Sequence, residues 1–117
     1  MDRYAVPFVI VGVYFTWRWI HGLRIRRNVA GLLAEGAAVI DVRSPAEFAR
    51  GHRSGSLNVP LAELASASLA VDMDHWLIVC CASGTRSAIA KGILRKRGFQ
   101  KVINGGSWVN VAKCEPS

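Results

Sequence analysis

The sequence predicts an α/β fold, and two observations carry that prediction. Short apolar runs with β-branched residues, AVIDVR at 38–43 and HWLIVC at 75–80, have the length of buried strands. Segments with helix spacing or helix caps alternate with them along the chain. The 117 residues suit one folded unit, and with 51% apolar residues the core needs no staples. Fifteen Lys and Arg against eight Asp and Glu favour anionic partners, without choosing among oxyanions, nucleic acid and acidic lipid.

The N-terminal third stands apart. Tyr4 to Trp17 is free of charge, yet 14 helical residues cover only about 21 Å, against about 30 Å of hydrocarbon. Continued to Leu23, with Arg18 and His21 reaching back to the headgroups, residues 4–23 are expected to form a transmembrane helix. Tyr4, Tyr14, Trp17 and Trp19 lie toward its ends, where amphipathic rings favour the interface. Arg18, Arg24, Arg26 and Arg27 follow the segment, so the expectation is a single pass through an inner membrane with residues 24–117 on the cytoplasmic side. The alternative is an apolar helix packed on the domain or pairing two copies. No small-x-small cleavage site marks a signal peptide.

The remaining elements follow in order. NVAGLLAEGAA reads as a short amphipathic helix ending near Gly36, and Ala38–Arg43 as a buried strand. In SPAEFARG, Ser44 is an N-cap, Pro45 the first helical residue and Glu47 the third, so a helix of about two turns starts there and stops at Gly51. GSLNVP is a brief strand closed by Pro60, LAELASASLA a helix, and HWLIVC a second buried strand. SAIAKGILRKRG places Ala88, Ile89, Ile93 and Leu94 at helical spacing, with cations in the last turn and Gly98 as C-cap. KVINGG is the last strand and turn.

Chemistry concentrates at CCASGTRS. Three cysteines, two of them adjacent, make a poor disulfide framework and fit a reducing compartment. No CxxC pair occurs, and His21, His52 and His75 lack ligand spacing with the cysteines, so no metal is expected. Cys80 should point into packing while Cys81 opens the loop beyond the strand, where ligands of parallel α/β sheets bind. Ala82, Ser83, Gly84, Thr85 and Arg86 can curl backbone N–H groups around one point at a helix N-terminus. A sulfur there is favoured as thiolate, with Ser83, Thr85 and Ser87 as hydroxyl donors and Arg86 as a permanent charge.

Four stretches in order, VIDVRSPAEFARGH, GSLNVPLAEL, IVCCASGTRSAIAKGIL and GFQKVINGGSW, resemble the successive motifs of a rhodanese domain over residues 39–108. The resemblance implies a three-layer α/β fold with a central parallel sheet flanked by helices. It also implies a sulfurtransferase that needs no cofactor and moves sulfane sulfur from thiosulfate or a similar donor to cyanide or a thiol. Cys81 matches the cysteine that carries the persulfide, and Ala82 to Arg86, with Ser87, match the substrate-binding loop, where Arg86 would attract the anionic donor. The related phosphatases and arsenate reductases have one more residue between cysteine and arginine than the four here, which favours sulfur over phosphate chemistry. A membrane-tethered persulfide relay or redox adaptor for a partner protein is the second class of function. Nucleic acid is not expected as a partner.

Other residues are expected to serve the fold. Asp41, Arg43 and Glu47 form a charge network, and His52 is a hydrogen-bonding turn residue. Arg53 is a solvated charge where the family usually has an apolar group, and Cys80 is a small buried residue in place of a bulkier one. Cys114 is expected to be exposed, and Gly105, Gly106 and Trp108 match a turn and a packing residue.

Overall fold

A computed structural model describes residues 5–114. The elements are α1 (Ala5–Ala34), β1 (Ala38–Asp41), α2 (Pro45–Arg50), β2 (Leu57–Asn58), β3 (Leu77–Cys81), α3 (Thr85–Lys96), β4 (Val102–Ser107) and α4 (Trp108–Lys113). The four strands form one parallel sheet in the order β2-β1-β3-β4. The chain therefore leaves β1 toward one edge and β3 toward the other. The carboxyl ends of β1 and β3 flank the switch point, the place where open parallel sheets bind ligands.

Alternation along the strands builds a layer on each face. Ile40, Leu77, Val79 and Cys81 face Ala90 and Leu94 of α3, with Leu64 and Phe99. Val39, Ile78 and Cys80 face the other way, toward Val29 of α1 and Val111 of α4. Leu77, Ile78 and Val79 are fully buried, each contributing about 1.5–3 kcal/mol relative to exposure. β4 carries a bulge: Val79 pairs with Asn104 but Cys80 with Gly106. Gly105 is the skipped residue, and a Cβ there would lie 2.7 Å from Ile78 and 2.9 Å from Val111. Only glycine lets α4 pack so close.

Several expectations change. The two N-terminal segments form one helix, because Arg24, Arg26 and Arg27 are good helix formers and nothing between them breaks the ladder. Tyr4 lies outside the described residues. Among the described residues, no helix is long and apolar enough to cross a membrane, which corrects the span expected over 4–23. α1 has the length, but its uncharged run from Ala5 to Trp17 covers only about 20 Å. Arg18, His21 and Arg24 then enter the segment needed to complete a crossing.

The helix expected over LAELASASLA is a single 3-10 turn, Leu61–Glu63. Serine is a weak helix former, and Arg97 takes the Leu64 carbonyl at 2.6 Å, anchoring the segment as a loop. In α3 the buried face is Ser87, Ala90 and Leu94, whereas Ala88 is exposed and Ile89 is 55% exposed. The apolar spacing placed Leu94 and Ile93 on the core side and missed at Ala88 and Ile89, because polar Ser87 points inward.

Candidate active site

The first residue of the site is Cys81, the last of β3, which pairs in register with Ser107. It is still a strand residue, so the loop begins one position later than expected, at Ala82. Gly84 then adopts φ +103°, a left-handed conformation that favours glycine, and serves as N-cap of α3. Its Cα side lies against Gly106, where an added Cβ would approach the Gly106 backbone to 3.3 Å. This turn aims the Gly84 N–H at Cys81 Sγ, 2.9 Å away.

Ser87, one turn into α3 and buried, holds its hydroxyl 3.5 Å from the same sulfur. Burial of Cys81 works against ionisation, but the donors outweigh it: the Ser87 hydroxyl and N–H, then the N–H groups of Ser83 and Gly84. The thiol is consequently held below its usual value of 9. Ala82, Ser83 and Thr85 form the exposed outer side of the loop. Ser83 thus contributes backbone, and among the described residues neither its hydroxyl nor that of Thr85 bonds the sulfur.

Arg86 reaches Glu47 of α2 instead of standing free. Its Nη1 and Nη2 donate to Glu47 Oε1 and Oε2 at 2.7 and 2.9 Å, and both side chains remain about one third exposed. The guanidinium, helped by the Ser44 N–H, pulls the Glu47 carboxyl down to about 2. Arg86 therefore stands beside the loop as one half of an ion pair, its guanidinium still partly exposed.

The Glu47 carboxylate pairs with Arg86 rather than joining Asp41 and Arg43, and Glu47 meets that pair through its backbone carbonyl, which accepts from Arg43 Nη1 at 3.3 Å. Asp41 and Arg43 form a buried pair of their own, Nε to Oδ1 at 2.9 Å and Nη2 to Oδ2 at 2.8 Å. Arg43 further donates to the Gly51 carbonyl at 2.7 Å and lies over Trp108, 4.7 Å from the ring centroid. The pair ties β1 to the end of α2 and is architecture.

The other cysteines are set apart from the loop. Cys80 is fully buried on the opposite face, and burial, then Asp41, push its thiol up to about 12. Cys114 is buried, against expectation, and its Sγ lies 3.2 Å from the Asn110 carbonyl, an acceptor for the S–H. Arg53 explains the local order: it donates to the carbonyls of Val111 and Cys114 at 2.8 and 3.0 Å, closing the end of α4 rather than facing water. His52 behaves as expected, its Nδ1 2.8 Å from the Phe48 carbonyl and its ring stacked on Phe48.

The residue the sequence did not single out is Asn104, on β4, whose amide bonds Gly84 and Ser87. Its signal was a polar side chain in an apolar strand ending beside the loop.

Fold and geometry together define a parallel α/β domain that presents a cysteine sulfur, ringed by hydrogen-bond donors, at the end of a central strand. The chain belongs to the rhodanese-like domain family, whose model matches residues 27–113. It is 38% identical over 94 residues to the thiosulfate sulfurtransferase GlpE of Pseudomonas aeruginosa, covering 77% of this chain and 86% of that one. The GlpE of Stutzerimonas stutzeri is 41% identical over 73 residues, covering 61% and 67%. Among solved structures, the human single-domain sulfurtransferase TSTD1 superposes with a TM-score of 0.61 at 30% identity, covering 68% of this chain and 84% of that one.

Proposed function

We propose that this chain is a thiosulfate sulfurtransferase with Cys81 as its sulfur carrier. The thiolate attacks the sulfane sulfur of thiosulfate, the S–S bond of the donor breaks, and sulfite leaves with the bonding pair. A persulfide anion remains on Cys81. Cyanide or a thiolate then attacks the outer sulfur, leaves as thiocyanate or a new persulfide, and returns Cys81 to thiolate.

The observation that carries this proposal is the Gly84 N–H at 2.9 Å from Sγ, in a loop whose donors favour the anion. Such fixed donors serve thiolate, persulfide and incoming anion alike, with no reorganisation during the reaction. Ala82, Ser83, Gly84, Thr85 and Ser87 are the donor-binding loop in this scheme, and Arg86, locked to Glu47, shapes it. The relatives named thiosulfate sulfurtransferase support the substrate class.

We put the domain in the cytoplasm as part of the same proposal, a reading supported by three cysteines, two of them adjacent, that make a poor disulfide framework. Fractionation with a periplasmic marker checks that placement.

The decisive test is intact mass after incubation with thiosulfate. Wild type is expected to gain one sulfur atom and Cys81→Ala none. A wild-type protein that gains no sulfur defeats the proposal.

A further inference from the structure

Asn104 sits where β4 bulges, and its amide oxygen and nitrogen have three partners around the site: Gly84, Ser87 and Gly106. Its Oδ1 accepts from the Gly106 N–H at 2.9 Å and lies 2.6 Å from Ser87 Oγ. Its Nδ2 donates to the Gly84 carbonyl at 3.1 Å. The orientation of the amide is determined, since the Gly106 N–H can only donate and the Gly84 carbonyl can only accept.

We propose that Asn104 is a positioning residue for the sulfur carrier, holding Gly84 and Ser87 so that their donors face Cys81 Sγ. Gly84 is gripped at its carbonyl by Asn104 while its N–H points at the sulfur. The Ser87 hydroxyl has one proton and three acceptors around it: Asn104 Oδ1 at 2.6 Å, the Gly84 carbonyl at 3.0 Å and Cys81 Sγ at 3.5 Å. By holding Ser87 Oγ and the Gly84 carbonyl in place, Asn104 keeps the Ser87 hydroxyl and the Gly84 N–H within reach of the sulfur, so both donors are already aimed at it when the thiol ionises.

The charged surroundings do not supply this function. Asp41 and Arg43 on β1 neutralise one another, as do Glu47 on α2 and Arg86 on α3. Cys80 on β3 faces the opposite layer. Lys91 of α3 and His21 of α1 line, with Asn104, a cavity of about 280 Å³ and are the remaining titratable groups beside it.

The inference rests on Cys81 being the reactive thiol, but its test does not require sulfur transfer. The readout is the pH midpoint of Cys81 alkylation by iodoacetamide, followed by peptide mass. Asn104→Ala removes the amide without adding charge and is expected to raise the midpoint by roughly one pH unit, about a tenfold fall in the ionisation constant. A purely structural role would lower thermal stability and leave the midpoint in place. An unchanged midpoint in folded Asn104→Ala overturns the proposal, including when Asn104→Asp shifts it, because charge alone would then be responsible.

Should Asn104→Ala fail to fold, wild type decides. The side-chain amide resonances of Asn104 are expected to move with the alkylation midpoint of Cys81, and resonances indifferent to that titration overturn the proposal. Failure of thiosulfate to load sulfur onto a protein that passes these tests would count against the proposed function alone.

Discussion

Cys80 and Cys81 are neighbours in sequence with opposite chemistry, and the reason is strand alternation. One face of β3 puts Cys80 in an apolar layer where, among the described residues, no donor reaches its sulfur, and burial holds its thiol near 12. The other face puts Cys81 under the Gly84 N–H and Ser87 hydroxyl. Cys80→Ala is therefore expected to load sulfur from thiosulfate as wild type does, and a loss of loading in the folded variant would make Cys80 a participant. The depressed Cys81 thiol also fixes the sign of the pH profile. Thiolate fraction, and with it the loading rate, rises with pH through a midpoint below 9 and levels off above it. A stopped-flow profile with its midpoint at or above 9 would contradict the donor geometry.

At the scale of elements, α2 shows how one residue serves two structures. Ser44 accepts from the Glu47 N–H at 3.2 Å, and the Glu47 carboxylate receives the Ser44 N–H at 3.3 Å, a reciprocal cap that the S-P-A-E spacing announced. Ser44→Ala should cost about 1 kcal/mol in denaturant unfolding. The same carboxylate grips Arg86 across the site, a contact 39 residues away that local spacing has no means of signalling. The depressed Glu47 carboxyl makes its contribution to stability fully present above pH 4.5 and lost as pH falls toward 2. The stability difference between wild type and Glu47→Gln should therefore shrink through that acid window, and a gap undiminished at pH 2 would refute the pairing.

What was legible followed the same division. The capping box, the buried strands and the loop at the end of β3 rest on residues a few positions apart, so pattern alone located them. The Arg86–Glu47 pair, the Arg53 closure of α4 and the inward turn of Ser87 are tertiary contacts. α4 itself, Trp108–Lys113, gave little periodic signal in its six residues and forms because Gly105 lets it pack on Ile78. The 3-10 turn at Leu61–Glu63 replaced an expected helix for a related reason, since a distant arginine claims its carbonyl.

For the whole molecule, α1 divides into two functions at about Leu23. Its second half packs Val29 at 1% exposure, with Ile25, Leu32 and Leu33, against the sheet face that also holds Cys80. Its first half leaves Phe8, Val9, Ile10, Val13, Phe15, Trp17 and Trp19 more than half exposed, and the molecule measures 58 Å along its longest axis against 31 and 30 Å. Core and projection make separable predictions. Val29→Ala deletes buried methyl groups and should destabilise the domain by about 2 kcal/mol. Deleting residues 1–20 spares the packed second half of α1, so the shortened chain should keep its unfolding midpoint and its thiosulfate-dependent gain of one sulfur. The same deletion should abolish most binding of an apolar dye by the full chain, because contiguous exposed apolar area is what such dyes take up. A deleted chain that unfolds early would show that the first half of α1 supports the sheet after all. Retained dye binding would place the apolar surface elsewhere on the molecule.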